Sequence, residues 1–136
     1  MRVALSTVAA TFLAMGPAEA DTLDGVYRTE RHHSGTYYHV AFGACDGNPN
    51  LTCGKIVAAF TADHEPIEDH EHLDAPIVWD AEHSGRGHHL GGRLWGPKTN
   101  LTYTLKILAK GHRLHVSSCV GPVCRTQVWH RVSEDG

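Results

Sequence analysis

The segment DHEPIEDHEHLD, Asp63 to Asp74, sets His64, His70 and His72 among carboxylates, with Ile67 and Leu73 as its only aliphatic side chains. Imidazole nitrogen suits zinc, copper and nickel, and a carboxylate can complete a tetrahedral set around such an ion. In an extended chain His70 and His72 project from the same face, so they can share one ion, with Glu68, Asp74 or a folded-back His64 as further ligands. Pro66 also fits the first position of a short helix, in which Glu68 and His72 would be neighbours and His70 would point elsewhere. Two readings follow: a loop that captures or buffers Zn, Cu or Ni, and a solvated acidic loop. A catalytic metal centre fits less well, because it needs a rigid open position and supporting outer contacts.

The rest of the chain extends the histidine pattern. All twelve histidines lie beyond residue 20, and His32-His33, His83 and His88-His89 fall in or beside turn signals. A histidine-rich surface swings from mildly negative to positive as pH falls through the ordinary histidine range, so pH response is a third reading. Enzymatic chemistry has little support: there is no H-E-x-x-H, G-x-S-x-G, P-loop or dinucleotide fingerprint. The expectation is a protein that binds rather than catalyses.

The amino terminus carries the marks of export. Arg2, an apolar run from Val3 to Met15 and the small-x-small triplet Ala18-Glu19-Ala20 read as a cleaved signal peptide over residues 1–20. Residues 21–136 then form one domain, large enough for a hydrophobic core. Beyond the leader the chain has eleven basic and fourteen acidic side chains and a net charge of −3. No basic stripe interleaved with aromatics points to nucleic acid, and no apolar run is long enough to span a membrane. The expected location is the periplasm or the cell exterior, as a monomer. Cys45, Cys53, Cys119 and Cys124 read as disulfides in that oxidising setting. Three connectivities are open, with the two local bridges favoured because each closes one turn-rich segment, CDGNPNLTC and CVGPVC. A zinc site of four cysteines lacks the tight C-x2-C spacing.

The elements that must carry these residues are strands. Leu101, Tyr103, Leu105 and Ile107 alternate with Thr102, Thr104 and Lys106, which places one apolar row on one face. KGHR at 110–113 then turns the chain into Leu114 and Val116, so 101–118 reads as a hairpin. Further strands read at 25–31, 37–44, 52–61, 77–80, 88–95 and 125–132, separated by HSG, DGNPN, HSGRG and GPK. Eight short strands with tight connections predict a small antiparallel up-and-down barrel, whose closure removes exposed edges. An eight-stranded barrel is either filled by side chains or holds one small ligand.

The stretch Gly91 to Val132 resembles the ending of an exported bacterial family, domain of unknown function 2147. The matching residues are Gly91-Gly92, Pro97, Tyr103, Leu114, Val116, Cys119-Val120-Gly121, Arg125-Thr126-Gln127, Trp129, Arg131 and Val132. LDGVYRTE and CDGNPNLTCGKIV resemble the family's opening strand and its first cysteine pair. Tyr27 stands where the family has tryptophan, and Ser118 where it has glycine. The family's middle segment, N-P-D-P-x-L-R-x-R-P-L-x-G, is replaced by the His-rich and acidic run. The resemblance implies an exported lipocalin-like barrel with no established activity; the expected partner of such a barrel is a small apolar ligand held inside it. It also implies a barrel floor, or ligand contacts, from Tyr27, Trp129 and an arginine of the last strand, Arg131 or Arg125. Stacking of the guanidinium on the Tyr27 ring would close that end.

Overall fold

A computed structural model describes residues 23–132; the expected leader, residues 1–20, lies outside the described residues. Eight strands follow in order: β1 (Gly25–Arg28), β2 (Tyr37–Cys45), β3 (Asn48–Phe60), β4 (Pro76–His83), β5 (His88–Gly96), β6 (Leu101–Lys110), β7 (Arg113–Val120) and β8 (Val123–Arg131). Each pairs antiparallel with the next, and β8 closes on β1 through Tyr27↔Arg131 and Arg28↔His130. The chain is therefore the closed up-and-down barrel that its alternation predicts.

Alternation also sets what faces inward. Leu105, Ile107 and Ala109 of β6 meet Leu114 and Val116 of β7, while Val40, Ile56 and Val78 approach from the other wall, all of them buried. Lys55, Arg93 and Lys106 stand exposed outside. An apolar inside and a charged outside invert the pattern of a membrane-spanning barrel. No helix among the described residues is long and apolar enough to cross a membrane.

Several boundaries differ from the sequence reading, each for a local reason. The β2–β3 turn is only Asp46-Gly47, a two-residue hairpin loop with Gly47 at positive φ, so pairing continues to Cys45↔Asn48. Pro49 is tolerated there because β3 gains its second neighbour, β4, only from Leu51 onward. β4 does not stop at Asp80: that residue adopts φ 60°, a left-handed conformation inside the strand, and the strand resumes to His83. Opposite it, a Cβ on Gly92 would lie 2.7 Å from the Trp79 carbonyl oxygen, so Gly92 lets two backbones approach. β1 ends early, at Arg28, where the Thr29 hydroxyl accepts a hydrogen bond from the Tyr38 amide. Leu101 heads the apolar row in sequence but lies past the barrel end, 56% exposed.

Because the strands alternate in direction, the connections divide between two ends. The short turns 46–47, 84–87 and 111–112 join the amino-terminal entry at one end. The connections 29–36, 61–75, 97–100 and 121–122 crowd the other.

Candidate functional site

The end with short turns is shut by side chains. Arg131 donates through Nη2 to the Asp24 carbonyl oxygen at 2.7 Å and to the Tyr27 hydroxyl at 3.0 Å, and its guanidinium lies 5.2 Å from the Tyr27 ring centre. Gly25 permits this, since a Cβ there would sit 3.1 Å from Arg131 Nη1. Above the plug Tyr27 meets Phe42 edge-on and Phe42 contacts Trp129, a buried aromatic layer. Of the two arginines considered for the floor, Arg131 fills the place. Arg125 does not: it pairs with Ser118 near the far end of β8 and is exposed.

That exposure is informative. Trp129 lies in the core and Arg131 on Tyr27, so Arg125 and Gln127, at the same alternation, share the inner face of β8. Gln127 also accepts a hydrogen bond from the Trp129 indole at 2.8 Å, as same-face neighbours do. Both Arg125 and Gln127 are solvent-exposed, so the barrel is packed below and open above on this side.

Across the opening, three connections converge on a cleft of about 420 Å³. The β1–β2 connection brings His32 and His33, the β3–β4 connection brings His70, Glu71 and His72, and the β5–β6 connection brings Lys98, with Tyr38 of β2 beneath them. The Asp63–Asp74 run is neither a helix nor a free loop. Ile67 donates to Ala59 and Asp74 to Ile56, each at 2.8 Å, and i to i+3 bonds from His70, Leu73 and Ala75 wind the chain between. Ile67 and Leu73, its two aliphatic residues, pack against the core and hold it across the mouth.

Rings order the cleft. Tyr38 takes His32 and His70 edge-on at 5.5 and 5.4 Å, His70 lies 5.2 Å from His72, and His72 meets Trp95 edge-on at 5.1 Å. His70 Nδ1 accepts from the His72 amide at 3.1 Å. Burial, then the Lys98 and His33 charges, lower the His32 pKa. Burial, then Glu71, raises that of Tyr38. Added positive charge is therefore disfavoured at His32, first by burial and then by the neighbouring cations.

The candidate metal set does not assemble as one group. His64 lies on the outer face of the wall, where Nδ1 is 2.6 Å from the Tyr37 hydroxyl and Nε2 is 3.1 Å from Arg31 Nη2. A guanidinium only donates, so Nε2 accepts and Nδ1 carries the proton. The Tyr37 ring meets this histidine edge-on at 5.6 Å and is itself stacked on Phe60. Glu68 is exposed on the winding segment, while His70 and His72 stay together in the cleft. Among the described residues the one group of three metal-type donors within 4.8 Å is Cys45, Cys53 and Asp80, and those two sulfurs are bonded to each other. The other bridge is Cys119–Cys124, so both favoured local pairings are present. Sequence reasoning noticed His32-His33 as a cluster but gave it no site. Tyr38 and Lys98 carried no local signal, because only closure of the barrel brings them to the histidines.

A closed eight-stranded barrel, plugged at one end and open at the other, is lipocalin-like in architecture. A solved structure of similar fold is protein HP1028 from Helicobacter pylori, described as belonging to the lipocalin family. The match has a TM-score of 0.65 at 14% identity and covers 84% of this chain and 85% of that one. The chain belongs to the family described as an uncharacterized protein conserved in bacteria, domain of unknown function 2147, whose model matches residues 25–131. No curated protein matches by sequence.

Proposed function

We propose that this protein is an exported, non-enzymatic binding protein that holds one small ligand at the mouth of its barrel. The observation that carries the reading is the asymmetry of the two ends, an Arg131–Tyr27 plug below and a ring-lined cleft above. Pocket-sized clefts with aromatic walls and a few placed polar groups are the usual form of such sites. Tyr38 and Pro97 offer apolar surface, while His32, His70, His72 and Lys98 offer donors. The ligand class this suits is a small molecule with an apolar body and an acceptor or anionic group. Two disulfides fit an oxidising compartment, in line with export to the periplasm or beyond.

The test is a screen of small carboxylates and neutral apolar compounds by tryptophan fluorescence, with Trp95 beside His72 as reporter. A saturable response that Tyr38→Ala weakens about tenfold or more, at the ~1.4 kcal/mol per decade of affinity, supports the reading. A response unchanged by Tyr38→Ala and His70→Ala places binding elsewhere and rejects it. A second reading, transition-metal capture, rests on the adjacent rings of His70 and His72. Zinc or copper calorimetry separates the two: affinity lost in His70→Ala/His72→Ala but kept in His64→Ala favours metal at the mouth.

A further inference from the structure

The charges of this chain are segregated along its length. From Ser84 to Val132 there is no aspartate or glutamate, against eight lysines and arginines; from Asp21 to His83 there are twelve acids and three such cations. Closure turns that linear division into a spatial one, because β5 to β8 are four neighbouring strands and make up one side of the barrel. Leu105, Ile107 and Ala109 point inward, so Lys106 and Lys110 point outward. Arg93 pairs beside Thr104, and Arg113 opposite Lys110. All four cations are exposed. Ser117 and Thr126, which pair on the same outer face and hydrogen-bond at 2.8 Å, leave the wall polar but without negative charge.

The mouth end of this wall carries the most exposed large apolar side chains among the described residues. Leu101, Val120 and Val123 are 56%, 65% and 69% exposed. Val120 and Val123 pair across the tip of the β7–β8 hairpin, and the Cys119–Cys124 bridge directly behind holds that tip in shape. Leu101 opens β6 beside the connection that presents Lys98. A preformed tip loses little conformational entropy on docking.

We propose that the mouth end docks on an anionic phospholipid surface, with Leu101, Val120 and Val123 entering the headgroup layer and Arg93 and Lys98 facing the lipid phosphates. Interfacial binding scales with apolar area buried plus attraction to anionic lipid, and both ingredients coincide here. A soluble polyanion would use the cations and leave the valines in water. A second copy of the chain would have to cover a convex apolar tip, and the two clefts described, one lined by the histidines of the mouth and the other by Arg28, Glu30, Arg31 and His130, are mainly polar and charged. On the β3–β4 connection, outside the β5–β8 wall, Glu65, Glu68, Asp69 and Glu71 are exposed, with Glu71 lining the same cleft as Lys98. Their repulsion from the same lipid tilts the barrel onto its β5–β8 side. The inference does not need the identity of the mouth ligand, but it shares Lys98 with that cleft; Arg93, Val120 and Val123 lie outside it.

The experiment is vesicle flotation at about 0.1 M salt, where charges within a Debye length of about 10 Å still act. The chain used begins at Asp21, which contains every strand and every core residue and removes the apolar segment ahead of it. Vesicles of equal phosphatidylglycerol and phosphatidylcholine are compared with phosphatidylcholine alone. Expected is binding at least tenfold stronger to the anionic vesicles, weakened at least fivefold by Val120→Ser/Val123→Ser. Arg93→Gln/Lys98→Gln should weaken it by an order of magnitude or more, at about fivefold per cation. Near-ultraviolet circular dichroism checks that both variants keep the fold. Equal binding to the two vesicle types, no binding, or anionic binding indifferent to the valine variant each overturns the proposal. So does a salt-reversible dimer in sedimentation at the protein concentration used for flotation.

Discussion

Arg125 and Arg131 occupy the same face of β8, six positions apart, yet only one of them has structural work to do. Arg131 donates a hydrogen bond to the Tyr27 hydroxyl, and Tyr27 is 1% exposed. Arg131→Ala should therefore cost about 2 kcal/mol, the order expected when a buried hydroxyl and a carbonyl lose a charged donor. Arg125→Ala should stay within about 0.5 kcal/mol, because this side chain, exposed like that of Arg131, has no such hydrogen bonds to lose. Urea denaturation of the two variants checks the contrast, and equal losses would contradict the assignment of the plug. His64 offers a second test at this scale. Its positive φ of 68° is an uncommon backbone state for histidine, held by hydrogen bonds to Tyr37 and Arg31. Tyr37→Phe removes one of these without changing shape, and a loss of about 1 kcal/mol in the same titration is expected.

At the scale of elements, the two disulfides lock hairpins rather than join distant parts. Cys119 and Cys124 are direct cross-strand partners, and Cys45 lies at the end of β2 beside the Asp46-Gly47 turn. Short closed loops of this kind should contribute about 2–3 kcal/mol each by chain entropy. Cys119→Ser/Cys124→Ser should thus lower the melting temperature by roughly 10 °C, with about 4–8 °C per kcal/mol for a small domain, while the barrel persists. Loss of all tertiary signal would show that the bridge is needed for closure itself. The strands were legible in the sequence because alternation and turn residues are local: Lys110 to Arg113 gave the β6–β7 hairpin directly. Asp80 misled, since an aspartate that ends a strand and one that kinks it in the left-handed region look the same in one dimension. The His-rich run was legible as a departure from its family. Its division into His64 on the outer wall and His70 and His72 in the mouth was not, because Tyr37 and Tyr38, adjacent in sequence, face opposite sides of β2. Charge segregation lay open in the sequence, but it acquires meaning only once β5 to β8 are known to be neighbours.

At the scale of the whole molecule, acid should destabilise the fold through particular histidines. Burial lowers the pKa of His32, helped by Lys98 and His33, and burial with Arg28 lowers that of His39. In the unfolded chain both return toward the ordinary value of 6.5. As pH falls through 6.5 the unfolded state takes up these protons first, so stability declines from there down to the depressed folded values and then levels for these two groups. Tyr38 acts in the other direction: burial and Glu71 raise its pKa, so the unfolded chain ionises first and stability falls as pH rises past 10.0. Between the two limits the fold should be at its most stable. Urea midpoints measured from pH 8 to pH 5 check the acid limb, comparing the natural sequence with His32→Gln/His39→Gln. The natural chain should lose stability more steeply with acid than the variant, which has no imidazole to protonate at either position. Parallel curves would assign the acid response to other groups. Because His32 lines the cleft and His39 does not, His32→Gln alone should also change how pH affects ligand binding, whereas His39→Gln should change stability only.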